Sequence, residues 1–354
     1  LSGCSTSPKL SGNNDKQPTT QSGGTVQNTT TQAKPGTGND QPSTTAAATT
    51  KAAETSQPID LTKVKPNENG KIMVLMFHNF VESFTPKKGD DGQYTTTFDA
   101  FRKLLKTLYD DGFRPISMDD YLNNNISVPA GYKPIVFTFD DGTAGQFNLV
   151  EDNGKLTANK QSAVGILEEF NKTHPDFGLK GVFYVNLNNS ATFNGKGTMA
   201  ERLKYLIDKG FEVGNHTLDH AVLGQVKTAD KVQEEIGGNQ KKMFELVPGY
   251  KMNSFALPEG SWNKEFKDYI AKGVYQSTEY DNKAIMLVGA EPAFSPVSKS
   301  FNPLKTSRVR ATGMKQVDCD LDWWLKKLPQ LDLYVSDGDP KTVTVPKSKE
   351  DGVD

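Results

Sequence analysis

The chain has 354 residues, with 41 basic and 43 acidic side chains and a formal net charge of −2. No basic run stands out, so we expect no nucleic-acid partner. The longest purely apolar run, Ile72 to Phe77, is too short to cross a bilayer, and two cysteines are too few for a disulfide framework.

The first 60 residues contain a short motif and then a long polar segment. Leu1-Ser2-Gly3-Cys4 resembles the end of a bacterial lipoprotein signal, in which the cysteine carries the lipid; a chance tetrapeptide is the alternative. Ser5 to Pro58 contains no aromatic residue and cannot bury a core. We therefore expect residues 1–60 to be a disordered tether with a lipid on Cys4, and residues 61–354 to be the folded domain. The protein would lie on the extracellular face of the bacterial membrane, or be secreted.

Apolar periodicity predicts the elements of the folded part in chain order. Strands are predicted at 71–77, 113–116, 134–139, 181–185, 211–214, 254–257, 284–288 and 307–311, and helices at 97–111, 118–124, 158–173, 198–209, 229–246, 264–272 and 320–328. Residues 143–159 are predicted to form a loop, and residues 331–354 a terminal hairpin. This alternation predicts a mostly parallel sheet with helices outside it, but it does not separate a barrel from an open sheet.

Two predicted strand ends carry side chains that suit a metal ion. One apolar run ends in Asp140-Asp141, and Gly142 lets the backbone turn; another strand leads to His216 and His220, which we place on one face of a helical turn. Hydrolytic zinc takes three protein ligands and one open position for water. Two histidines and one aspartate meet that count and leave the other aspartate to accept a proton. Each stretch alone is weak evidence, since Asp-Asp-Gly is usually a plain turn.

Thr138-Phe139-Asp140-Asp141-Gly142 and His216-Thr217-Leu218-Asp219-His220 resemble the first two motifs of the polysaccharide deacetylases with a NodB-homology domain, carbohydrate esterase family 4. The resemblance covers roughly residues 70 to 330 and implies a distorted (β/α) barrel of about seven parallel strands. It also implies metal-dependent N-deacetylation of a GlcNAc-containing surface polysaccharide: peptidoglycan, a chitin-type oligomer or poly-N-acetylglucosamine. Asp141, His216 and His220 would then hold a divalent metal, Zn²⁺ by default with Co²⁺ or Ni²⁺ as alternatives, and Asp140 would be the base.

The rest of the motif set matches less closely. Leu75-Met76-Phe77-His78 resembles the Met-Tyr-His stretch of members with a permuted motif order, which implies that His78 protonates the leaving amine. The third motif falls at Phe255 to Gly260, where Ala256 replaces the usual arginine and Glu259 the usual tyrosine. A backbone N–H near Glu259 would still hold the oxyanion. The substrate-binding residues implied or expected on this loop are Pro258, Glu259, Gly260 and Trp262, the last as a platform for a sugar ring.

The missing arginine leads to a further prediction. A general-base aspartate beside a metal needs a positive partner to stay ionised. Arg308 and Arg310 lie two residues apart on the last predicted strand and share one face of it. We predict that Arg308 reaches Asp140; the alternative places both arginines on a solvated edge.

Three other residues are predicted to be structural. His174 is expected to cap a helix, and Trp323 and Trp324 to pack in the core. We expect a monomer whose partner is an N-acetylated polysaccharide.

Two rival functions remain open. A pair of histidines with one carboxylate also occurs in non-haem iron oxygenases, although their ligand order differs. The departures at Ala256 and Glu259 allow a deacetylase fold that binds surface glycan with little or no turnover.

Overall fold

The structure, a computed structural model, describes residues 60–354 of the chain. The strands are β1 Met73–Phe77, β2 Asn79–Val81, β3 Thr95–Thr97, β4 Phe113–Pro115, β5 Lys133–Asp140, β6 Leu149–Asp152, β7 Lys155–Ala158, β8 Val182–Val185, β9 Glu212–Asn215, β10 Ser254–Ala256, β11 Lys272–Tyr275, β12 Thr278–Asp281, β13 Ala284–Met286 and β14 Val309–Arg310. The α-helices are α1 Leu61–Val64, α2 Phe98–Asp110, α3 Met118–Leu122, α4 Ala163–Thr173, α5 Met199–Asp208, α6 Ala229–Leu246, α7 Asp268–Ala271 and α8 Leu321–Leu325. None of these helices combines the length and hydrophobicity that a membrane span requires. Cys4 and the predicted tether lie outside the described residues.

The main sheet is parallel and curls on itself. Its strand order is β13-β10-β9-β8-β5-β1-β14, and β4 pairs with the first half of β5. Val309 of β14 pairs with Leu75 of β1, while Thr306, just before β14, forms a parallel bridge to Met286 of β13. The two ends of the strand order therefore meet. This arrangement confirms the expected distorted barrel of about seven parallel strands.

Apolar strands and capped helices explain why these segments fold as they do. All five residues of β1 are buried, and the Phe139 ring of β5 stacks on Phe183 of β8 with 4.5 Å between ring centroids. Each buried aromatic or aliphatic side chain of this kind stabilises the fold by roughly 1.5–3 kcal/mol. On α2, the Thr97 hydroxyl caps the first turn and Phe101 turns inward with its apolar neighbours.

Two predictions of local structure were wrong. Residues 143–159 are not a plain loop, because β6 and β7 form an antiparallel hairpin there. Helix α4 consequently begins at Ala163, where the Ser162 hydroxyl accepts the Gly165 N–H, and not at Ala158, which belongs to β7.

The expected hairpin in residues 331–354, and with it the expected short C-terminal β extension, is also wrong. Leu333 and Val335 form only isolated bridges with the segment before β1, and a 3₁₀ turn spans Lys347–Gly352. The reason lies in local hydrogen bonds to Asp337. Its carboxylate accepts hydrogen bonds from the hydroxyl groups of Thr342 and Thr344, and these bonds fold the backbone into turns instead of paired strands.

Candidate functional site

The chemistry-bearing side chains gather where the parallel strands end. His78 directly follows β1, Asp140 is the last residue of β5, and His216 follows β9. Parallel strands bring their carboxyl ends to one face, which is where barrel enzymes place their active residues. The expected clustering of these residues is therefore present.

Asp141, His216 and His220 point their donor atoms at one another. Oδ1 of Asp141 lies 3.3 Å from Nε2 of each histidine, and the three donor atoms lie within 4.8 Å of one another. This Oδ1 atom is buried and makes no hydrogen bond to any described residue. A buried, unpartnered carboxylate oxygen facing two imidazole nitrogens suits a divalent cation. The donor set therefore fits the expected metal.

The orientation of His216 also suits metal binding. Its Nδ1 lies 2.7 Å from the backbone oxygen of Ala256, so the N–H on Nδ1 donates to that carbonyl. Nε2 then keeps its lone pair for the cation, as in other metal-bound histidines. Although burial opposes it, the two neighbouring histidines hold the pKa of Asp141 well below its usual range.

The two histidines are not joined by a helical turn, contrary to our expectation. Thr217 has φ of 66° and His220 has φ of 57°, so the connection is a loop with two left-handed residues. Buried asparagines hold this loop: Asn186 donates to the backbone oxygens of His216 and Thr217, and Asn215 accepts the Thr217 N–H at 3.0 Å. Sequence reasoning missed both asparagines, although each lies at or just beyond the end of an apolar strand.

Asp140 is held by Arg308, as predicted. The guanidinium binds the carboxylate through two hydrogen bonds, of 2.7 Å from Nη1 and 2.8 Å from Nη2. Arg308 is fully buried, so the alternative of a solvated edge strand is wrong for this residue. Nε of Arg308 donates to the Leu287 carbonyl, and Nη1 also donates to the Thr138 hydroxyl. Although burial raises it, the positive charge of Arg308 leaves the pKa of Asp140 below its ordinary value.

His78 lies on the other side of Asp140. Its Nε2 is 3.8 Å from Oδ2 of Asp140, and its side chain keeps 18% of its surface exposed. Burial lowers the pKa of His78. Asp140 and His78, the expected base and the expected acid, are therefore neighbours.

Residues 127–277 match the model of a family described as polysaccharide deacetylase. The chain contains a polysaccharide deacetylase domain. The family match indicates a hydrolase that acts on the N-acetyl groups of polysaccharides, and divalent metal dependence is typical of this family. The matched range includes Asp140 and Asp141 and the two histidines of the candidate metal site. His78 and Arg308 lie outside it.

Solved structures share the fold of this deacetylase domain. The deacetylase PplD of Streptococcus pyogenes, solved with acetate, is 18% identical with a TM-score of 0.53, over 74% of this chain and 98% of that chain. A polysaccharide deacetylase of Bacillus cereus is 19% identical with a TM-score of 0.53, over 73% of this chain and 69% of that chain. A comparison with curated proteins found no match.

The loop of the deacetylase domain that replaces the third motif is a tight turn. Pro258 to Gly260 form a 3₁₀ turn in which Glu259 has φ of 54° and is exposed. Gly260 has φ of 63°, and an added Cβ would lie 2.9 Å from Cβ of Val288. Trp262 is partly buried against an apolar cluster that includes Leu223. The substrate-binding roles of these residues stay predictions.

Gln146 is a further residue that sequence reasoning missed. It is fully buried, and its Nε2 donates to the backbone oxygen of His78 at 2.7 Å and to that of Asp140. It therefore ties the end of β1 to the end of β5, and with them His78 to Asp140. The stretch around it was expected to be a loop, which carries no signal for a buried glutamine.

Two structural predictions are confirmed. His174 caps α4 and stacks on Phe170 with 4.1 Å between ring centroids. Trp324 is 7% exposed and belongs to the core, and Trp323 packs against that core.

Proposed function

We propose that this protein hydrolyses the N-acetyl groups of a GlcNAc-containing cell-surface polysaccharide in a metal-dependent reaction. Asp141, His216 and His220 would hold the cation, with Zn²⁺ as the first choice and Co²⁺ or Ni²⁺ as alternatives. The observation that carries the proposal is the arrangement of these three donors beside Asp140, an aspartate that a buried arginine keeps ionised. When bound, such a cation supplies a Lewis acid for the acetamide carbonyl and lowers the pKa of the attacking water.

Asp140 and His78 would divide the proton transfers between them. Asp140 accepts a proton from water as the water oxygen forms its bond to the acetamide carbon. The C–N bond then breaks, its electron pair stays on nitrogen, and that nitrogen takes a proton from His78. The products are acetic acid, which gives up its hydroxyl proton to solvent and becomes acetate, and a free amine on the sugar. Asp140 then loses its proton and His78 regains one, which restores the starting state.

The turn at Pro258–Gly260 would bind the substrate. A backbone N–H near Glu259 is proposed to donate to the oxyanion, because a backbone donor survives the replacement of tyrosine. Pro258 and Gly260 shape the turn, and Trp262 would contact a sugar ring.

The alternative of a glycan-binding module with little or no turnover rested on the departures at Ala256, where the usual arginine is missing, and at Glu259. Arg308, the residue just before β14, supplies the charge beside Asp140, which supports an enzyme. The ligand order, with an adjacent second aspartate, likewise favours hydrolysis over the chemistry of an iron oxygenase.

The test is acetate release from peptidoglycan, chitooligosaccharides and poly-N-acetylglucosamine, measured side by side. Activity should disappear with a chelator and return with Zn²⁺, Co²⁺ or Ni²⁺. Tight metal binding without acetate release from any of the three polymers would instead support the glycan-binding module.

We also propose that Cys4 carries a lipid, that residues 1–60 tether the domain to the outer face of the bacterial membrane, and that the protein acts as a monomer. The composition of Ser5 to Pro58 supports the tether. Mass spectrometry of the protein made from a signal-bearing precursor should show a diacylglycerol on Cys4, and Cys4→Ala should release the protein from membranes. Unchanged membrane retention of that variant would exclude Cys4 as the anchor.

A further inference from the structure

Arg310, the last residue of β14, takes a different partner from Arg308. Its Nε lies 2.8 Å from Oδ1 of Asp320, and its Nη1 donates to Oε1 of Gln93 at 3.1 Å. Asp320 is 2% exposed, so the guanidinium is anchored to a buried carboxylate. The central carbon of that guanidinium lies 4.9 Å from the centroid of the Tyr94 ring. Arg310 therefore holds an aromatic ring in place by a cation–π contact.

Tyr94 in turn contacts His78. The two rings meet edge to face, with 4.8 Å between centroids and an interplanar angle of 68°. The backbone adds a second connection, because the Tyr94 carbonyl accepts the N–H of Asn79, the residue after His78, at 2.9 Å. Tyr94 is thus joined to the segment of His78 through both its ring and its main chain.

Polar contacts do not account for the orientation of the His78 imidazole. Its Nδ1 is buried and makes no hydrogen bond to any residue in the described range, and Nε2 is 3.8 Å from Asp140. The Tyr94 ring is the aromatic surface against the imidazole. Since Tyr94 is 38% exposed, core packing alone does not fix its ring, and the contact with Arg310 supplies the missing restraint.

We propose that Tyr94 and Arg310 are positioning residues for His78, in which Arg310 fixes the Tyr94 ring and that ring holds the imidazole towards the leaving nitrogen. This inference rests on the proposed function. It gives the two arginines parallel roles: Arg308 orients the base Asp140, and Arg310 orients the acid through Tyr94.

The substitutions Tyr94→Ala, Tyr94→Phe and Arg310→Met test the proposal in the full chain, with Tyr269→Ala as the control. Tyr269 is 40% exposed, which matches Tyr94. With a chitooligosaccharide as substrate, Tyr94→Ala should lower kcat by ~10–100-fold and leave KM nearly unchanged. A loss of this size does not exceed the rate enhancement that a general acid supplies. Arg310→Met should lower kcat by a smaller factor. Tyr94→Phe keeps the ring and should stay near the parent, as should Tyr269→Ala.

Two readouts separate positioning from structural damage. Hydrolysis of 4-nitrophenyl acetate needs no proton on the leaving group, so Tyr94→Ala should retain this activity while losing deacetylation. Adding Tyr94→Ala to His78→Ala should cause no further loss, because both changes remove the same function. Bound metal and melting temperature are measured for every variant.

Different results would overturn different conclusions. If the parent releases acetate and Tyr94→Ala is as active, the positioning role is wrong. An equal loss on amide and ester, or an additive loss in the double variant, would also refute it. If the parent releases no acetate from any glycan, the proposed function itself fails.

Discussion

Replacing Arg308 with methionine tests the strongest interaction in the site. The side chain is fully buried and donates four hydrogen bonds, two of them to Asp140. Methionine has a comparable length but no charge. The change therefore leaves the Asp140 carboxylate, itself 1% exposed, without its partner.

The expected cost follows from that burial. Removing one partner of a buried ion pair costs about 3–5 kcal/mol in the free energy of unfolding. In a large domain each kcal/mol lost from the free energy of unfolding lowers the melting temperature by about 2 °C. We therefore expect the melting temperature of Arg308→Met to lie roughly 6–10 °C below that of the parent. The pKa of Asp140 should rise because the charge of Arg308 is the largest of the influences that lower it, ahead of His216 and His78. Turnover should fall by roughly 10²–10⁴-fold at neutral pH, as for loss of a general base.

The assay combines thermal unfolding with acetate release for Arg308→Met, for the double variant Arg308→Met/Asp140→Asn and for the control Arg114→Met. The double variant removes both charges and should recover much of the stability, but no activity. Arg114 is also buried, but its partner Asp176 is half exposed, so the control leaves no buried charge and should keep its kcat.

The reasoning would be refuted if Arg308→Met melted at the parent temperature, or if the double variant were no more stable than Arg308→Met. Full activity of Arg308→Met would show that Asp140 does not depend on this arginine.

Three further predictions concern other parts of the molecule. Asp140→Asn should keep its metal and lose roughly 10²–10⁴-fold in turnover; loss of metal, or a slight effect, would mean that the roles of the two aspartates are misassigned. His216→Ala and His220→Ala should each lower bound metal in elemental analysis while the domain stays folded, and full metal content in both would exclude them as ligands. Burial raises the pKa of Glu212 from 4.5 to about 7. The stabilisation of the folded state by the Glu212 carboxyl group is therefore complete below pH 4.5 and is lost as the pH rises to about 7. The melting temperature of Glu212→Gln relative to the parent should rise across that range, and a constant difference would contradict this.

Much of the barrel could be predicted because parallel strands are buried on both faces and read as apolar runs. The long helix α6 was predicted with its observed bounds, and β5 within one residue at each end. The hairpin of β6 and β7 was missed although the sequence signals it, because Asn153-Gly154, a typical two-residue hairpin turn with positive φ at both residues, lies between the two short strands.

The sequence by itself determined which residues could carry the chemistry. The Asp140-Asp141 pair and the His216 and His220 pair are local patterns, and each follows an apolar strand whose end a parallel sheet places at one face. Even the contact between Arg308 and Asp140 could be predicted, because a buried arginine needs a carboxylate and an ionised base needs a cation.

Only the tertiary structure decided how those residues are held. Left-handed backbone at Thr217 and His220 joins the two histidines, and no local pattern in the sequence indicates this loop. Gln146 and Tyr94 reach His78 through contacts between segments far apart in the chain or across a loop. Such contacts depend on which strands become neighbours, and strand order is a property of the whole sheet, not of any stretch of sequence.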